Sequence, residues 1–219
     1  MKESLETINS KVGDITGSST SECFALYKAI MMISKSLNGE ILEIGCLYGK
    51  TSIAMLLAAQ ELGEQVVCVD HFFQYPDLNK CSVINEPQYP SRENIEDAFS
   101  KNTYLEFTRN LIKLNLYENA LIIASKSINL SKIWGNPIKF IFIDADHSYA
   151  GVKQDFELFE SFVVPGGLIA MHDIDQIGHP DIYRYFIEIM NSDRYEIFCY
   201  VQDRNCMIIR KKGGVSVKT

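Results

Sequence analysis

The chain is poor in the features that would make its function obvious. Its six cysteines (Cys23, Cys46, Cys68, Cys81, Cys199, Cys206) include no CxxC pair, which argues against a zinc ribbon or a disulfide framework and for buried, reduced thiols. The longest apolar stretch, "IAMLLAA", is far too short to span a bilayer. The opening "MKESLETINS" lacks the apolar core of a secretory signal. Positive charge is in deficit, with a formal net charge of −7, so a nucleic-acid-binding surface is not expected. Repeats and low-complexity tracts are absent. Together these absences lead us to expect a cytoplasmic protein that binds neither membrane nor nucleic acid. With 219 residues, 47% of them hydrophobic, the chain can bury a core without a metal or disulfide to hold it.

What is present alternates. Short apolar runs read as strands near 40–45 ("GEILEIG"), 65–70 ("QVVCVD"), 120–125 ("ALIIAS"), 138–144 ("IKFIFIDAD") and 166–173 ("GGLIAMHD"). Between them "KTSIAMLLAAQEL", "VKQDFELFESFV" and "PDIYRYFIEIM" carry apolar residues at helical spacing, the last with Pro180 at its start. "YEIFCYV" and "CMIIRK" read as a closing hairpin. Continuous apolar strands separated by helices predict an α/β fold with a doubly wound, mostly parallel seven-stranded sheet ending in an antiparallel hairpin. Residues 1–39 form a helical segment packing on the core, 40–212 the main domain, and 213–219 a frayed tail. Residues 71–100 break the rhythm with three prolines. Starting where the second strand ends, they would overhang the crevice in which such sheets bind ligands, as a substrate lid.

"EIGCLYGKTS", residues 43–52, ends like a phosphate loop but is one residue short of one, because Gly45 and Gly49 enclose three residues. The dinucleotide fingerprint fails too, since Leu47 and Lys50 stand where its later glycines belong. An acid, a Gly-x-x-x-Gly turn and a second acid closing the next strand remain. Glu43 suits a ligand's ammonium, Gly45 and Gly49 a close backbone approach, and Asp70 a ribose diol. Farther on, Asp144, Asp146, His147, His172 and Asp173 all fall at strand ends, a costly gathering of ionisable groups unless something positive joins it. Asp146 and Ser148 are also the candidate caps of the helix that follows.

"ILEIGCLYGKTSIAMLLA" and "VVCVD" resemble the first two motifs of the class I S-adenosylmethionine-dependent methyltransferases, and "LIIASKS" resembles their adenine-contacting region. "FIFIDADHSYAGVKQDFELFESFVVPGGLIAMHD" is similar to the branch containing sugar and macrolide O-methyltransferases, more distantly to catechol-type enzymes. The resemblance implies a Rossmann-like fold and S-adenosylmethionine as cofactor, contacted by Glu43, Gly45, Gly49, Thr51, Ser52, Asp70, Ser125, Ser127 and Asp144. It also implies a divalent metal, Mg²⁺ or Mn²⁺, on Asp144, His172 and Asp173, although a histidine at 172 departs from the Asp-Asn pair of catechol-type enzymes. His147 stands where those enzymes place a lysine and is the expected general base, with Asp144 beside it. Deprotonating a phenol (pKa ~10) with a neutral imidazole (~6.5) costs about 5 kcal/mol, and a sugar hydroxyl considerably more, which favours metal assistance. The expected substrate is a small-molecule hydroxyl, on a sugar or another natural product. For "ITGSSTSECFALYKAIMMI" two expectations stand, a homodimer contact or a cover over the methionine end of the cofactor. A nicotinamide-dependent oxidoreductase and a non-catalytic adenosyl-binding module are the rival readings.

Overall fold

A computed structural model describes residues 3–33, 36–72 and 102–213. The expected lid at 71–100 falls almost wholly outside the described residues, with only His71 and Phe72 inside, and so do residues 214–219 of the expected frayed tail. The elements run α1 (Leu5–Val12), α2 (Thr20–Ile33), β1 (Glu40–Ile44), α3 (Lys50–Leu62), β2 (Val66–Asp70), α4 (Thr103–Lys113), β3 (Ala120–Ala124), α5 (Ser127–Ser131), β4 (Ile138–Ile143), α6 (Tyr149–Phe159), β5 (Val163–Met171), α7 (Pro180–Met190), β6 (Tyr195–Val201) and β7 (Cys206–Lys211).

The seven strands form one sheet in the order β3-β2-β1-β4-β5-β7-β6. Pairing is parallel from β3 through β5 and antiparallel at β5–β7 and β6–β7. Period-two alternation divides the apolar residues between two cores. Ile41, Cys68, Phe140, Phe142, Leu168, Ala170 and Ile208 face α2 and α3. Leu42, Ile44, Val67, Val69, Ile141, Ile143, Ile169 and Met171 face α6 and α7. All six residues of β4 are buried, as a central strand covered on both faces requires. The chain winds outward from β1 through β2 to β3 on one side and from β4 to β5 on the other, so the crevice beyond the carboxyl ends of the parallel neighbours β1 and β4 is the topological switch point. Among the described residues no helix is long and apolar enough to cross a membrane.

Two helices were not foreseen. α4 is amphipathic, burying Thr103, Phe107 and Leu111 on one face, and Asn102 caps it by accepting from the Leu105 N–H at 3.0 Å. The short α5 follows β3. β5 also begins earlier than the glycine pair suggests. Val163 already pairs with Ile138, and the register slips across Pro165-Gly166-Gly167 before regular pairing resumes at Leu168, because proline removes a ladder donor.

Candidate active site

The β1 tip is built by packing within the protein. The Gly45 N–H donates to the Val69 carbonyl at 2.9 Å, and the Asp144 N–H donates to the Ile44 carbonyl at 2.8 Å. Gly45 has φ +90, and a Cβ there would lie 1.9 Å from the Asp144 carbonyl oxygen. Gly49, at φ +88, opens α3 with its Cα against the ring of Phe107, where a Cβ would approach to 2.9 Å. Protein neighbours alone thus already demand a glycine at both positions. Between them Leu47 sits at φ 48, a left-handed conformation uncommon for a leucine.

Asp70 organises this loop. Its Oδ2 accepts from the Cys46 N–H (2.8 Å) and the Leu47 N–H (2.9 Å), and its Oδ1 from the Phe72 N–H (2.7 Å). A carboxylate has about four acceptor sites, so capacity for a further hydroxyl donor remains. Glu43 departs from expectation. It has no exposed surface and accepts from the Thr51 hydroxyl at 2.6 Å. Burial outweighs the hydroxyls around it and pushes its carboxyl up to about 7. Here it braces the start of α3, while its Oε2 has no hydrogen bond within the protein. Ser52 is equally enclosed, and Thr51 nearly so. Ser127 donates to Asp155 at 2.5 Å, and Ser125 accepts from Asn129 at 3.2 Å. Of the expected cofactor contacts at the tips of β1, β2 and β3, Asp70, Ser125 and Ser127 are among those that keep exposed surface and spare hydrogen-bonding capacity.

The second half of the crevice lies beyond β4 and β5. Asp144 closes β4. Two residues on, Asp146 accepts from the Ser148 N–H at 2.8 Å, and Ser148 caps α6 by accepting from the Gly151 N–H at 3.1 Å. This tight turn sets the His147 ring between two carboxylates. Nε2 is 3.3 Å from Asp144 Oδ1 and Nδ1 is 3.8 Å from Asp173 Oδ2. Asp173 follows β5 at φ 56, a second strained position at the site. Its Oδ2 also meets His179 Nε2 at 3.0 Å. His179 immediately precedes Pro180, the first residue of α7, and its ring stands edge-on to that of His147, centroids 5.2 Å apart. The side chains of this cluster are between 10% and 19% exposed.

His172 does not join that convergence. Its Nδ1 lies 2.7 Å from Glu22 Oε1 of α2, and its Nε2 lies 3.1 Å from Asp173 Oδ1. Burial alone would lower its pKa, but the carboxylates of Asp144, Glu22 and Asp173 overcome that and lift it to about 10. In this arrangement both of its ring nitrogens are taken up by carboxylates. Beyond β4 and β5, donor atoms of His147, Asp173 and His179 lie within 4.8 Å of one another, with Asp144 beside His147. This mixed oxygen and imidazole set fits a first-row divalent ion. The sequence reading missed His179 and Glu22. His179 had a signal in its place just before a helix-starting proline, and Glu22 in being the one acid on the apolar face of α2.

Residues 42–174 match the model of a family described as Methyltransferase domain. Solved structures share the fold at low identity. An O-methyltransferase from Bacillus cereus in complex with SAH has a TM-score of 0.60 and 17% identity, covering 95% of this chain and 90% of that one. The O-methyltransferase NovP gives 0.66 and 15%, with 89% and 81% covered. TomG from Streptomyces achromogenes, an O-methyltransferase involved in tomaymycin synthesis and solved in complex with SAM, gives 0.62 and 11%, with 97% and 91% covered. With the family match spanning well over half of its length, and with a sheet, switch point and acid-closed strands that agree, the chain belongs to the Methyltransferase domain family.

Proposed function

We propose that this protein transfers the methyl group of S-adenosylmethionine to a hydroxyl oxygen of a small molecule, a sugar or another natural product. One observation carries the reading. The loop held by Asp70 and the cluster of Asp144, His147, Asp173 and His179 stand side by side at the β1–β4 switch point, so a sulfonium at the first would face a hydroxyl at the second. The solved structures in complex with SAM or SAH support the cofactor assignment by likeness of fold.

Asp70 accepts a ribose hydroxyl while its other lone pairs hold the loop. The acceptor hydroxyl binds against the cluster, where His147 takes its proton. Asp144 and Asp173 flank the ring of His147 and stabilise the imidazolium that forms. The oxygen attacks the methyl carbon in line; the carbon–sulfur bond breaks, and its electron pair leaves with sulfur as S-adenosylhomocysteine. Alignment of the two reactants and exclusion of water supply most of the acceleration. A divalent ion held by Asp173 and His179, the members of the convergent set other than the base, would stabilise negative charge on that oxygen, and an imidazole in the set favours Mn²⁺ over Mg²⁺. Family membership leaves the nicotinamide-dependent reading without support.

The test is incubation with methyl-labelled S-adenosylmethionine and a panel of sugars and phenols, followed by mass spectrometry of the products. Label on an acceptor oxygen is expected, and His147→Ala should slow it by roughly 10²–10⁴-fold while leaving cofactor affinity unchanged. Label on nitrogen or carbon alone would refute the O-transfer reading.

A further inference from the structure

We infer that Glu22, on the N-terminal helix α2, is a positioning residue for the cluster, acting through His172 on Asp173. The inference rests on the reading above for what the cluster does. Glu22 has no exposed surface and sits among Cys23, Leu26 and Ile30 on the buried face of α2. Its Oε1 meets His172 Nδ1 at 2.7 Å, and its Oε2 has no hydrogen bond within the protein. An apolar residue of similar volume would be expected to serve stability as well as a buried acid does. What the acid adds is direction. By accepting the Nδ1–H it fixes the plane of the imidazole, which stands edge-on to Phe142 with centroids 6.4 Å apart, and so aims Nε2 at Asp173 Oδ1, 3.1 Å away.

Asp173 is thereby divided between two tasks. Oδ1 is held by His172, while Oδ2 faces His179 at 3.0 Å and His147 at 3.8 Å. The last torsion of an aspartate is soft and roughly two-fold. Without the hold on Oδ1, the carboxylate can turn and withdraw Oδ2 from the two histidines. Partners one shell behind a metal- or proton-handling group set its orientation in this way. Glu22 lies outside the 42–174 stretch matched by the family, so this contact makes α2 part of the active centre.

The test compares Glu22→Met, which keeps volume and loses the acceptor, with Glu22→Gln, which keeps a neutral acceptor, and with Leu26→Ala, which loosens α2 without touching His172. Histidine side-chain ¹⁵N NMR reads the outcome. The wild type should show a protected Nδ1 proton on His172. Glu22→Met should lose it and shift the His147 and His179 resonances, Glu22→Gln should restore both toward wild type, and Leu26→Ala should leave them in place. A wild-type His172 without a protected Nδ1 proton would overturn the inference. So would cluster resonances that stay put in Glu22→Met, or that move as far in Leu26→Ala or Glu22→Gln as in Glu22→Met. A Mn²⁺ titration followed by electron paramagnetic resonance gives a second reading, with Glu22→Met weakening binding about 10–100-fold. If the wild type binds no Mn²⁺, the metal assignment fails while the histidine spectra still decide the positioning role.

Discussion

Glu43 carries a cost that varies with pH. Its carboxyl is raised from 4.5 to about 7 because it is enclosed, so between those values the folded state binds more protons than the unfolded chain, and stability falls as pH rises. Across that window the wild type should lose roughly 3 kcal/mol relative to Glu43→Gln, at about 1.4 kcal/mol per unit; urea melts of the two proteins at a series of pH values would show it. Gly45→Ala tests the packing explanation of the first glycine. A methyl 1.9 Å from the Asp144 carbonyl, at φ +90, should cost more than about 3 kcal/mol, measurable in the same melts without any ligand. At this scale Asp144, His147 and Asp173 were legible because strand ends can be read from apolar runs that stop at a charged residue. The buried state of Glu43 was not legible, since an acid at a strand tip looks the same in sequence whether it faces a ligand or a helix. Nor was the turning of His172 toward Glu22, which joins residues 150 positions apart.

The N-terminal helices act as part of the core rather than as an appendage. α2 lays Leu26, Tyr27 and Ile30, none with exposed surface, against α3 and the sheet. The Tyr27 hydroxyl donates to Glu61 near the end of α3 at 2.7 Å and accepts from the Glu3 N–H at 2.9 Å. Leu26→Ala should therefore lower stability by about 2–5 kcal/mol, by chemical denaturation; a loss under ~1 kcal/mol would mean that α2 is only loosely attached. Among the elements, strands and long amphipathic helices were readable because their periods are sustained over several residues. α4 escaped because it adjoins the aperiodic 71–100 stretch, although its Asn102 cap and its Phe107–Leu111 pair were there to be found. The early start of β5 escaped because Pro165 and two glycines mimic a turn within what is a slipped stretch of strand.

On the scale of the whole molecule, the switch point brings two half-sites together. One is a loop tied by Asp70 at the tips of β1 and β2; the other is a histidine–carboxylate cluster at the tips of β4 and β5. The central claim is that the first half-site takes an adenosyl cofactor, and calorimetric titration with S-adenosylmethionine and S-adenosylhomocysteine tests it most directly. Removing a charged acceptor of a ribose hydroxyl is worth about 1.5–3 kcal/mol, or roughly ten- to hundredfold in affinity. The account predicts one-to-one binding of both compounds by the wild type, weakened by that factor in Asp70→Asn. Absence of heat at millimolar ligand, or an Asp70→Asn titration indistinguishable from the wild type, would contradict it.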